Sequence, residues 1–192
     1  MIRIINLLIL ALGLVSIGSV SMLGIELYDS RQSVENLGLP IVEEEPGIVK
    51  YRTENGNDLS VTFENDKVVY MENDWLLQPE SSEPLYSDFR FGATSLVDIR
   101  DKFGSNGFAH LERNVITTET QLISFNGYQI DSEKNEVLVT ITGLDLNDPE
   151  VNENNFTDKM LLLAIIIADE AYLDKIWGEG KIYDENYKKI EL

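Results

Sequence analysis

The chain has 192 residues, no cysteine, one histidine, and 15 basic side chains against 34 acidic ones. Without cysteine there can be no disulfide, no thiolate zinc site and no lipid-bearing N-terminal cysteine, so a domain outside the cytoplasm would rest on its core alone. A single histidine, His110, excludes a metal site built on several imidazoles, and a Ser-His-Asp relay would have to use it as the base. No nucleophile-elbow pattern accompanies it, so a structural or surface role is the simpler reading. The shortage of positive charge leaves a net charge of −19, which repels nucleic-acid phosphates and anionic lipid headgroups. The same charge would steer the protein toward a basic partner. An EF-hand loop is lacking too. In Asp145–Glu153 a proline, Pro149, stands at the third ligand position and the required glycine is missing, which leaves a plain acidic loop. No metal, cofactor or small-molecule ligand is therefore expected.

What the chain does have is an uncharged run of 22 residues, Ile4–Ile25. A membrane-spanning helix needs about 20 mostly apolar residues. Arg3 precedes the run and Glu26 and Asp29 follow it, which places the rest of the chain outside the cytoplasm. Ser19-Val20-Ser21 offers a signal-peptidase site, so both an uncleaved single-pass anchor and a cleaved signal peptide are open, with residence at the periplasmic side of the inner membrane or in the periplasm.

Beyond the run, Glu26–Leu37 reads as a helix stopped by Gly38, and Leu39–Gly47 as an acidic loop. Strands over Ile48–Glu54, Leu59–Glu64 and Lys67–Glu72 follow, with turns at Asn55-Gly56 and Asn65-Asp66. Asn73–Phe89 is irregular. A second helix opens at Thr94 or Ser95 and closes at Gly104, and three strands come after it, Phe108–Val115, Thr120–Ile130 and Glu136–Thr142. Helix plus meander thus occurs twice, which suggests a diverged tandem repeat. Thr157–Trp177, with its core Met160–Ala168 apolar on every side, reads as a buried helix, and Lys181–Leu192 as a hairpin. The expected fold is α+β: two helix-plus-three-stranded antiparallel modules in tandem, a buried C-terminal helix and an N-terminal membrane or signal helix. The corresponding segments are 1–25, 26–78, 79–90, 91–144 and 145–192.

Gly92, Thr94, Ile99, Phe103 and Gly104 form a motif in which a glycine and a threonine open a short helix that closes on an apolar-Gly pair. This resembles the modules of the β-lactamase-inhibitor-protein family and of the small lipoprotein of the outer-membrane assembly machine. Val34, Leu37 and Gly38 match it in the first half, where the opening Gly-x-Thr is absent. The chain departs from these families in having no lipobox cysteine, no disulfides and an additional apolar C-terminal segment. The resemblance implies a non-enzymatic binding module outside the cytoplasm.

These readings lead to a protein-binding module of the bacterial envelope, an inhibitor or immunity protein that occludes a basic toxin or hydrolase. The candidate contacts are the acidic run Glu43, Glu44 and Glu45, together with Asp74 and Trp75, since exposed aromatics beside charge often anchor interfaces. Tyr51 and Tyr70 would flank Trp75 on the first sheet, and Trp177 would be core. A structural subunit of an envelope assembly and a carboxylate-dependent hydrolase are the alternatives.

Overall fold

The structure is a computed structural model that describes residues 20–77, 81–83, 86–132 and 134–192. Most of the expected membrane segment, residues 4–19, lies outside the described residues. Its described end contradicts a helix running through to Ile25. Strand β1 (Ser21–Met22) pairs with β2 (Ile25–Glu26) in a tight hairpin, and Val20, Met22 and Ile25 are buried in the main core. These residues are apolar because they fill the domain. Among the described residues no helix is long and apolar enough to cross a membrane, which overturns the transmembrane helix and signal anchor.

The first predicted helix shrinks to one turn, α1 (Arg31–Glu35), capped by the Ser30 hydroxyl, which accepts from the Ser33 N–H. The acidic segment expected as a loop is an edge strand, β3 (Ile41–Glu45), exposed at every position. It opens a four-stranded meander with β4 (Ile48–Arg52), β5 (Asp58–Glu64) and β6 (Lys67–Asp74). Asn65 and Asp66 take left-handed conformations (φ 50 and 60) in the tight β5–β6 turn, as two-residue hairpin loops require.

The segment read as irregular contains a further hairpin, β7 (Ser81–Glu83) with β8 (Tyr86–Phe91). Helix α2 (Leu96–Phe103) begins with a capping box, in which Ser95 and Asp98 each accept from the other's backbone N–H. It ends at Gly104, whose left-handed φ of 65 suits glycine best. The predicted strand Phe108–Val115 is broken into β9 (Phe108–His110) and β10 (Val115–Thr117), both lying along one edge of β11 (Gln121–Gln129), which then pairs with β12 (Glu136–Asp145).

The largest departure is at the apolar run. After a single turn, α3 (Phe156–Lys159), residues Leu161–Asp169 form a strand, β13. Helix α4 (Glu170–Trp177) starts only where Asp169 caps it by accepting from the Tyr172 N–H. Strand β13 pairs with β12 on one edge and with β6 on the other, so it is an interior strand of the sheet. Leu162, Ile165 and Ile167 enter one core while Ala164, Ile166 and Ala168 enter the other. The parity changes at Leu163, where a bulge lies opposite Ile141 and Thr142. A strand buried on both faces is apolar without alternation, so its sequence imitates a buried helix.

The tail contributes β14 (Lys181–Tyr183), paired with β9, and then a lone parallel bridge from Ile190 to Ile130 in place of the expected hairpin. Ten strands form one antiparallel sheet in the order β14-β9-β11-β12-β13-β6-β5-β4-β3, with β10 beside β11, while β1-β2 and β7-β8 are separate two-stranded sheets. The expected pair of small-sheet modules is therefore corrected: β13 fuses both meanders into one mostly β fold. One face of the sheet carries the N-terminal hairpin, α1, β8 and α2 over Tyr51, Leu59, Met71 and Leu138. The other carries α4, whose Leu173 and Trp177 cover β11, β12 and β13.

Candidate functional site

Helix α4 covers only half of its face of the sheet. Over β3–β6 the same face carries polar side chains. Antiparallel register sets them in ranks: Glu43 beside Lys50, Lys50 beside Ser60, and Ser60 beside Glu72. The next rank is Glu45, Ile48, Thr62 and Tyr70, and on the far side Arg52, Asp58 and Asp74 form a third. The first two ranks enclose an open cavity of about 330 Å³. Tyr172 of α4 packs on the lining residue Tyr70, with the ring centres 5.9 Å apart, and Lys175 of α4 pairs with Glu64.

The three ranks hold five carboxylates (Glu43, Glu45, Asp58, Glu72 and Asp74) and two cations. Lys50 Nζ lies 3.8 Å from Glu43 Oε2, and Arg52 Nε lies 2.8 Å from Asp58 Oδ1. The Tyr70 hydroxyl donates to Glu72 Oε2 at 2.6 Å; burial and the Glu72 charge raise its pKa. Asp74 is pushed up to about 7 by burial first and then by Glu72, with Lys50 opposing. A carboxyl whose folded pKa is raised loses stability as pH climbs from its unfolded value of 3.8 through 7. Asp74→Asn should therefore be more stable than wild type at pH 8, and the gain should vanish below about pH 4, where Asp74 is neutral in both states. Urea unfolding at the two pH values checks this; an equal gain at both would show that charge burial is not the cause.

The proposed contact residues divide between the two faces. Glu43, Glu45 and Asp74 share the acidic face. Glu44 points to the other side, where Arg31 Nη2 lies 3.3 Å from its Oε1. Trp75 also belongs to that side: it packs against the main core, and its indole fills the space above Gly92, where a Cβ would come within 2.4 Å of Cη2. Tyr51 is buried there as well, whereas Tyr70 lines the cavity. Lys50, Asp58 and Glu72 were missed by the sequence reading. The alternation Tyr70, Glu72, Asp74 along β6 was the signal that could have found Glu72.

Other candidate chemistry is absorbed by structure. His110 is buried with Nε2 3.2 Å from Asp174 Oδ1, and burial lowers its pKa against the pull of Asp174. In the loop after β12, Asp145 and Asp148 accept from the backbone N–H groups of Asn147 and Glu150, and Lys159 pairs with Glu150 at 2.7 Å. Among the described residues no group of three or more acidic or histidine side chains is placed to hold a metal. No protein-family model matches the chain, and no curated protein or solved structure is significantly similar to it.

Proposed function

We infer that the chain is a non-enzymatic binding module that captures a basic protein, an inhibitor or immunity protein of the bacterial envelope. The observation that carries this reading is the acidic half-face left open beside α4, in a chain of net charge −19. Steering by such a field raises encounter rates, and the partner's cations then settle against Glu43, Glu45 and Glu72 as its cleft is covered. Affinity capture from envelope extract with the full chain tests it. The expected result is a basic protein held at low salt, released at high salt, and bound at least about tenfold more weakly by Glu43→Lys/Glu45→Lys. A bound protein that is neither basic nor salt-sensitive would overturn the reading.

A carboxylate-dependent hydrolase is the competing reading, favoured by one feature: burial and then the Glu72 charge push the Asp74 carboxyl up to about 7, the range that suits a general acid, with Glu72 two residues away. Cleavage of a chromogenic glycoside that Asp74→Asn abolishes would establish it in place of the binding module.

A further inference from the structure

We propose that the outer edge of β3 accepts an extended basic segment of a partner protein as an additional strand, one whose lysines or arginines alternate with apolar residues. The proposal deepens the binding reading above and rests on it.

Strand β3 ends the sheet: β4 pairs with it on one side, and among the described residues no strand pairs with the other. All five of its residues are exposed. An unpaired edge presents a row of N–H and C=O groups that another extended chain can complete, the basis of strand-addition recognition. The opposite margin of the sheet offers less, because there the edge is divided between the three-residue strands β10 and β14.

Charge chooses the occupant. A second copy of this chain, paired antiparallel at β3, would bring Glu43, Glu44 and Glu45 against their own counterparts, and like charges facing across strands destabilise a pair. Arg31 and Lys50 offset Glu44 and Glu43 only partly, at 3.3 and 3.8 Å, and Glu45 has no ion pair among the described residues. A cationic strand meets the opposite situation.

The two faces of β3 specify the alternation. Glu43 and Glu45 lie on the cavity side, so every second residue of an added strand would project beside them toward the 330 Å³ cavity that Tyr70 and Glu72 close from behind. Its volume suits a lysine or arginine head group. The intervening residues would lie on the other side, beside Ile41, an apolar side chain 56% exposed whose cross-strand neighbour is Tyr51, and beside Glu44, whose carboxylate Arg31 already partly offsets. The backbone supplies affinity, and the acidic cavity supplies selection for cations at alternate positions.

The test uses the full chain and a synthetic peptide in which lysine alternates with valine, compared with the same peptide N-methylated at every backbone nitrogen. Methylation keeps the charge and removes the N–H donors from both edges of the peptide, so neither edge can complete the ladder of β3. The expected result is that the unmodified peptide slows amide exchange in Glu43–Glu45 and binds at least about tenfold more tightly than the methylated one. Equal, salt-sensitive binding of the two would overturn strand addition while leaving the acidic-face reading standing. No binding of either peptide at low salt would overturn both.

Discussion

Ile166→Ala should destabilise the protein by about 3 kcal/mol, among the largest losses expected of a single side-chain truncation here. Ile166 is fully buried in the middle of β13, between Val139 of β12 and Glu72 of β6. Its side chain packs in the core that Trp177 and Leu173 seal. Truncation removes buried methyl and methylene groups and leaves a cavity, and the sheet can collapse little around it because both neighbouring strands are fixed by ladder hydrogen bonds. Urea unfolding measures the loss. The exposed Ile48→Ala, on the open half of the same face, is the control and should lie within about 0.5 kcal/mol of wild type. Ile166→Pro would be costlier still, because it removes a ladder donor from a central strand, and should abolish folding.

Lys181→Met should cost about 2–4 kcal/mol for a different reason. The lysine side chain is only 7% exposed, and its Nζ lies 2.7 Å from both Glu170 Oε1 and Asp174 Oδ1. It also sits 5.4 Å from the centre of the Phe108 ring. Glu170 is held in turn by the Gln129 amide, and Gln129 accepts from the Tyr187 hydroxyl at 2.7 Å. One cation thus ties β14, α4 and β11 together. Methionine keeps the packing and strands two partly buried carboxylates, which is the expensive half of breaking an ion pair. Adding Glu170→Gln and Asp174→Asn to Lys181→Met should recover part of the stability. If the triple variant were less stable than the single one by the sum of independent losses, the orphaned charges would not be the cause.

Local chemistry made some elements legible in the sequence. The β4–β6 meander follows from period-two alternation and from turn residues at Asn65-Asp66, and α2 follows from Ser95 and Gly104 at its ends. The errors share a cause: burial was inferred from a single element, when it depends on what the others cover. Val20, Met22 and Ile25 read as membrane residues because nothing local shows that a core awaits them. Met160–Ala168 read as helix because an unbroken apolar run has no period, although the β-branched triplet Ile165-Ile166-Ile167 favoured a strand. Glu43–Glu45 read as loop because an edge strand with both faces solvated resembles one. The acidic site was half visible. Glu43, Glu45 and Asp74 could be named from composition, but their meeting with Lys50, Asp58 and Glu72 depends on the register of three hairpins, which no segment states by itself.

The seam between β6 and β13 also sets an order of events during synthesis. Residues 67–74 emerge about ninety residues before their partner at 161–169. Until the ribosome has delivered β13, the first meander carries an open edge on both sides, one acidic at β3 and the other at β6. Contacts so distant along the chain close slowly, and the waiting intermediate is prone to aggregate. The glutamates at β3 would repel copies of the same half-made sheet and so guard the nascent chain against edge-to-edge pairing.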